Sequence, residues 1–434
     1  FTNIIVAAYY CYIESWTMSW VYHTVTGTFD GKSQEEIASF FVKYTDLDVS
    51  FTGIPYEPVI FYILCLVLNT FILSKGLSGG IEKAAKIGMP LLIFFGAFLA
   101  YKGFTLKAGE EGAIFDGLVG LDFLWSPQFD SLRNPNVWLN AAGQIFFTLS
   151  VGMGTVHCYA AYVKKKDDIA LNAMSAGWMN EFVEVILGAS IVIPISVGYF
   201  GIDKVIELTQ SGGLGLGFRT MPYLFEQWGD YIGTFAGVAF FGLLFFAGIT
   251  SSLAMGSPWI AFMKDEFKWG HNWSAVSFGL IVLALGLPTV FFFEYGVFDE
   301  YDYWVGTVAL IVFAMMEVIL FSWIFGLDKG WKEITSGADI KVPKIYRYII
   351  KYVTPVMLIL VFLTSMVNPS NGDWSGAFNQ LFTEGSWPLA DGSIIGKSMN
   401  KGIYAQLENE TNPEKIAFLE DTIFYVNSSR LLLI

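Results

Sequence analysis

Apolar runs of about twenty residues, separated by polar stretches, dominate the chain. A membrane-crossing helix needs roughly 20 apolar residues. The pattern therefore predicts nine spans: Ile4–Val25, Val59–Leu73, Ala85–Tyr101, Val137–Val163, Ile169–Phe200, Tyr231–Met263, Ala275–Phe293, Tyr303–Phe325 and Tyr346–Val367, with a tenth starting at Ile423. The longer polar loops fall near 26–58, 102–136, 201–230 and 368–422. The expected class is an all-α polytopic membrane protein.

Composition agrees. Hydrophobic residues make up 54% of the 434 residues and charged residues 15%, against about 25% charged in a soluble domain. No hydrophilic stretch is long enough for a separate soluble domain, so residues 1–434 read as one membrane domain. The chain opens at Phe1 inside an apolar run, without an initiator Met or a signal peptide. It closes at Arg430-Leu-Leu-Leu-Ile434, which reads as the first turn of another span. A fragment cut at both ends is expected.

Charge predicts orientation. If the chain starts inside, the loops after spans two, four, six and eight hold 14 of the 25 Lys/Arg, in and beside them, and 8 acids. The opposite loops hold 11 basic and 27 acidic residues. The excess of Lys/Arg marks the cytoplasmic side. The net charge of −14 then belongs to the external face and does not call for a basic partner or nucleic acid.

Three spans carry chemistry. The fourth places Thr148, Ser150 and Gly152-Met153-Gly154 at mid-span, which fits either a broken helix lining a cavity or a continuous helix with a glycine packing face. The sixth carries Thr250-Ser251-Ser252. These hydroxyls either bond back to carbonyls one turn earlier or offer oxygen ligands to a hard cation. The fifth carries Asn180-Glu181-Phe-Val-Glu184 with no Lys or Arg between Asp168 and Lys204. An ionised carboxylate at bilayer centre costs about 2.5–3.5 kcal/mol on insertion scales, so a partner, a proton or a water-filled pocket is implied. Glu14 and Glu317 are the other acids within spans. Cys11, Cys65 and Cys158 show no metal-ligand spacing. His23, His157 and His271 lie more than a hundred residues apart, so no triad or metal cluster suggests an enzyme.

Together the motifs resemble the neurotransmitter:sodium symporter family, in its bacterial leucine-transporter branch. They are Ala8-Tyr-Tyr-Cys-Tyr-Ile-Glu-Ser-Trp16, Gly143-Gln-Ile-Phe-Phe-Thr-Leu-Ser150, Asn180-Glu-Phe-Val-Glu-Val-Ile-Leu-Gly188, Phe246-Ala-Gly-Ile-Thr-Ser-Ser252 and Phe298-Asp-Glu-Tyr-Asp-Tyr-Trp304, followed by Lys341-Val-Pro-Lys344. They occur in family order and cover the chain to about residue 365. The resemblance implies the LeuT fold of inverted five-helix repeats. This chain would hold helices 3–11 and the start of 12: helices 3–5 in 1–103, helices 6–10 in 137–325, helix 11 in 346–367 and an extracellular loop at 368–422. Helices 1 and 2 would be absent.

The resemblance also assigns roles. Tyr10 would hold the amino-acid carboxylate, and Phe147 would close with it as a lid. Thr148 and Ser150 would reach a first sodium ion and the substrate amine, and Asn180 would complete that sodium site. Ala247 (by its carbonyl), Thr250 and Ser251 would bind a second sodium. Val6, Met153, Ser252 and Met255 would line the side-chain pocket, whose two methionines suit a large apolar side chain. Glu184 stands where chloride-dependent relatives place a serine, implying chloride independence and proton counter-transport. Asp302 and Asp265 match the external and cytoplasmic gates, and Gly80-x9-Pro90 resembles the helix 5 motif.

The expected function is sodium-coupled symport of a neutral, hydrophobic or aromatic amino acid by alternating access. The alternative is a non-transporting sensor or a channel on the same scaffold. Expected partners are two sodium ions, whose helix 1 ligands this chain lacks, a small amino acid and the lipid bilayer, with a homodimer as an option. The inner or plasma membrane is the expected location.

Overall fold

The computed structural model describes residues 2–45, 56–133, 135–209 and 212–433. Phe1, Ile434 and parts of the first three predicted loops lie outside the described residues. Those described are mostly helical and contain no strand, only one isolated bridge between Pro369 and Leu389. Seven helices among them are long and apolar enough to cross a membrane: Tyr56–Ser74, Leu77–Thr105, Ile169–Leu208, Asp230–Glu266, His271–Phe291, Val297–Thr335 and Ile345–Met366. Each overlaps one predicted span.

The two remaining predicted spans differ for physical reasons. Thr2–Val25 is a continuous helix, but it carries Asn3, Glu14, Ser15, Thr17, Ser19 and His23, all buried. Its neighbours are protein, so its sequence is not selected for lipid contact. Val137–Val163 is interrupted and forms the helices Pro135–Thr148 and Thr155–Ala160.

By internal contacts the chain divides into two compact units. One comprises Asn3–Pro127 and Trp178–Glu294. Its core is the Thr2–Val25 helix, where Val6, Ala7, Ala8, Cys11, Tyr12, Trp16 and Trp20 are fully buried. Tyr56–Ser74 instead exposes Ile60, Ile63, Leu64, Val67 and Phe71, a face suited to lipid. The Tyr62 hydroxyl donates to the carbonyl of Val282 at 2.9 Å and lies 3.2 Å from that of Ala8. Gly286 permits this tie, because a Cβ there would stand 1.9 Å from the Tyr62 hydroxyl. Asp230–Glu266 packs along Glu82–Thr105, with Phe246 against Gly88. A π-helical turn at Leu77–Ile81 contains Gly80, the first residue of the Gly80-x9-Pro90 pattern.

The other unit comprises Phe1–Thr2, Gln128–Gly177 and Tyr295–Ile434. Its stretch 368–422 is not a simple loop. It contains the helices Trp374–Glu384, Ile394–Ser398 and Lys401–Asn409, and the helix Pro413–Leu433 begins ten residues before the predicted tenth span. That last helix packs on Val297–Tyr301. Arg430 Nε lies 2.6 Å from Glu300 Oε2, which also accepts from Trp304 Nε1 at 2.6 Å. Both Glu300 and Arg430 are largely removed from solvent, with side chains 7% and 16% exposed, so the pair is a partly desolvated clamp.

Candidate functional site

In the unit containing residue 148, the helix that starts at Pro135 stops at Thr148. Ser150, Gly152 and Gly154 then adopt left-handed φ values of 54°, 82° and 74°, and a new helix starts at Thr155. Of the two readings of Gly143–Gly154, the break is the one observed. Val151 N donates to the Phe146 carbonyl at 3.0 Å, closing the last turn as helix ends commonly do. Gly152 is required twice over. Its φ disfavours a side chain, and a Cβ would stand 2.6 Å from the Leu310 carbonyl oxygen.

Phe147 and Asp302 line the same cavity, of about 670 Å³, together with Gln144, Tyr303, Asn368 and Gly392. Asp302 opens a π-helical stretch, Asp302–Ala309, a form enriched at functional sites. The Tyr303 hydroxyl donates to the Gly392 carbonyl at 3.3 Å. Met153 is buried, and the Thr148 hydroxyl lies 3.3 Å from the Ile145 carbonyl.

In the unit containing residue 10, Thr250 and Ser251 both donate to the Ala247 carbonyl, at 3.0 and 3.2 Å. Three oxygens thus converge on one helical turn, and the Tyr10 side chain lies beside Ser251. Donation leaves the lone pairs of each hydroxyl oxygen available, and neutral oxygens suit a hard cation. Among the described residues, no group of His, Cys, Asp and Glu side chains forms a metal cluster. The Ser252 hydroxyl is engaged elsewhere, with Asn69 Oδ1 at 2.7 Å and the Ile249 carbonyl at 3.0 Å. Val6, Ser252 and Met255 are buried.

Asn180 lies two residues before a π-helical segment, Phe182–Gly188, that carries Glu184 one turn on. Its amide reaches Glu184 Oε2 at 3.4 Å and Glu181 Oε1 at 3.5 Å. Asp265, near the end of Asp230–Glu266, is exposed. Its carbonyl accepts from Lys268.

The structure therefore brings together Tyr10, Ala247, Thr250 and Ser251, pairs Asn180 with Glu184, and places Phe147 with Asp302. Sequence reasoning missed Asn69, which touches both Glu14 and Ser252. Its signal was a lone amide inside an apolar span. It also missed Asn368, Gly392 and Ile394, which line the cavity beside Phe147.

The model of the sodium:neurotransmitter symporter family matches residues 32–396. The chain belongs to this family. As a sodium:neurotransmitter symporter it has the LeuT fold: a similar solved structure, "Crystal structure of MhsT in complex with L-phenylalanine", superposes with a TM-score of 0.70 at 26% identity, covering 84% of this chain and 79% of that one. An uncharacterized sodium-dependent transporter of Methanocaldococcus jannaschii is 27% identical over 382 residues, 86% of this chain and 74% of the relative. One from Haemophilus influenzae is 26% identical over 373 residues, with 83% and 76% covered. The sodium-dependent nutrient amino acid transporter 1 of Drosophila ananassae is 27% identical over 312 residues, 70% of this chain and 47% of that one. The symporter described here is thus a multi-pass membrane transporter that uses sodium, not an enzyme.

Proposed function

We propose that this symporter carries neutral amino acids with large apolar or aromatic side chains, coupled to two sodium ions and independent of chloride. The observation that carries the reading is the oxygen cluster of Ala247, Thr250 and Ser251 with the Tyr10 hydroxyl against it. A cation held by those oxygens would stand beside the group that receives the substrate carboxylate, so binding of one favours the other.

Phe147, Thr148 and Ser150 serve the substrate at the break in their helix. Its freed amides and carbonyls supply the partial charges that helix ends present. Thr148 and Asn180 take the first sodium, and Ala247, Thr250 and Ser251 take the second. Val6, Met153, Ser252 and Met255 shape the apolar wall. The relative MhsT binds L-phenylalanine, which supports an aromatic or large aliphatic substrate. Tyr10 and Phe147 close over it, with Asp302 outside and Asp265 inside as gates. Glu184 supplies the negative charge that chloride provides in other members, and it takes a proton for the return step. Loops 26–58, 102–136, 201–230 and 368–422 face outward from the inner or plasma membrane.

Coupling sets a limit on accumulation. Each charge crossing 100 mV contributes about 2.3 kcal/mol, so two ions supply roughly 4.6 kcal/mol. The proton carried back outward on Glu184 takes about 2.3 kcal/mol of this, so at about 1.4 kcal/mol per decade the potential alone holds a neutral substrate on the order of 40-fold concentrated. The test is equilibrium binding of tritiated L-phenylalanine to the full-length protein against sodium concentration, with Thr250→Ala and Ser251→Ala beside it. Sodium-dependent binding weakened by both substitutions supports the reading. Binding indifferent to sodium overturns it.

A further inference from the structure

Glu14 has no part in the proposed transport machinery, yet it is 2% exposed inside a helix surrounded by protein. Asn69 donates its amide to Glu14 Oε1 at 3.0 Å. Among the described residues no donor is in hydrogen-bonding geometry on Oε2, although the Ser252 hydroxyl and the Cys65 thiol lie beside the carboxyl group. Three elements pack on the carboxyl group. Cys65 comes from Tyr56–Ser74, Gly248 and Ser252 from Asp230–Glu266, and Tyr10 and Cys11 of its own helix lie within electrostatic reach. None is a cation, and Glu14 makes no ion pair among the described residues. A carboxylate removed from water with only neutral groups against it among the described residues is far more costly than the neutral acid.

The same amide continues the connection. Asn69 Oδ1 accepts the Ser252 hydroxyl at 2.7 Å, and Ser252 adjoins Ser251, which meets Tyr10. We propose that Glu14 is a proton-binding site, neutral in this conformation, that fixes the Asn69 amide and through it the Ser252 hydroxyl. Glu14 is a positioning residue in this scheme. When it ionises, the carboxylate competes for the Ser252 hydroxyl and draws water toward the buried amide. The wall beside Tyr10 then loses its set geometry, and substrate affinity falls as pH rises. Linkage of one proton to binding gives a loss of up to about tenfold per pH unit above the titration point. This binding consequence rests on the amino-acid reading above; the protonation state itself does not.

Infrared difference spectra of the full-length protein test the protonation directly. A protonated-carboxyl C=O band should be present at neutral pH, vanish in Glu14→Gln and persist in Glu184→Gln. If Glu14→Gln does not fold, Asn69→Leu takes its place: loss of the donor on Oε1 should move the band to higher frequency. Absence of the band in the native protein, or a band moved by neither substitution, overturns the inference. Titration with tritiated L-phenylalanine at fixed sodium supplies the second arm. Native affinity should fall with rising pH through Glu14, and Glu14→Gln should remove that fall, leaving only the pH dependence that Glu184 contributes to both proteins. Parallel pH profiles contradict the inference. Failure of phenylalanine to bind at any pH contradicts the substrate reading instead, and leaves the infrared arm to decide on Glu14.

Discussion

Gly152 presents its Cα to the carbonyl of Leu310 so closely that a methyl group there would stand 2.6 Å from the oxygen and 2.9 Å from the amide nitrogen of Ala314. The break after Thr148 is thereby fixed by packing as well as by its left-handed φ of 82°. Gly152→Ala should cost about 1–3 kcal/mol in backbone strain, with the clash added. Thermal unfolding should show a lowered Tm, and substrate binding should fall more than stability does, because the displaced turn carries Thr148 and Ser150.

Thr250 and Ser251 share the Ala247 carbonyl. A hydrogen-bond or ligand contact to a charged partner is worth about 1.5–3 kcal/mol. Thr250→Ala and Ser251→Ala should each raise the sodium concentration for half-maximal binding by roughly 10- to 100-fold. A sodium titration of substrate binding reads this directly.

Glu184 replaces a mobile anion with a fixed one in the proposed cycle. Native transport should be unchanged when chloride is exchanged for gluconate, whereas Glu184→Ser should transport only when chloride is supplied. Uptake measured in the two salts distinguishes the cases. A chloride requirement with Glu184 intact removes the claim.

The Glu300–Arg430 pair holds the helix Pro413–Leu433 to the segment that leads into Asp302. Removing one partner of a desolvated pair costs about 3–5 kcal/mol, whereas replacing both with apolar groups is often close to neutral. Arg430→Met should lower the unfolding temperature sharply, and adding Glu300→Leu should restore much of it.

Outside the membrane spans, burial first, then the nearby Asp30 and Asp230 carboxylates, push the Glu226 carboxyl above its ordinary value. The folded protein therefore holds this proton to higher pH than the unfolded chain does. That contribution is fully present below the unfolded carboxyl value and is lost as pH rises through the folded one. Glu226→Gln should flatten this part of the stability–pH curve and raise stability at neutral pH, as followed by thermal unfolding across pH.

What the sequence revealed depended on how local each signal was. The break at Ser150–Gly154 was one of two readings, because hydroxyls and glycines at mid-span suit either unwound backbone lining a cavity or a close-packed helix face. The choice between break and packing face needed the Leu310 contact, which sequence spacing does not contain. Glu14 and Asn69 were each legible as polar residues in apolar helices, but their pairing spans 55 positions and leaves no periodic trace. The helices in 368–422 were missed because they are short and polar, and so give no span-length pattern. Their caps were readable in principle: Asp373 accepts from Gly376 N and Ser393 from Gly396 N, side chains of the type that starts helices.

The central claim is coupled transport, and accumulation tests it most directly. Full-length protein in proteoliposomes, with an inward sodium gradient and an inside-negative potential, should concentrate tritiated L-phenylalanine well above the external level. The gradient should collapse on adding a sodium ionophore. Uptake that merely equilibrates, or that persists unchanged with choline in place of sodium, contradicts the account.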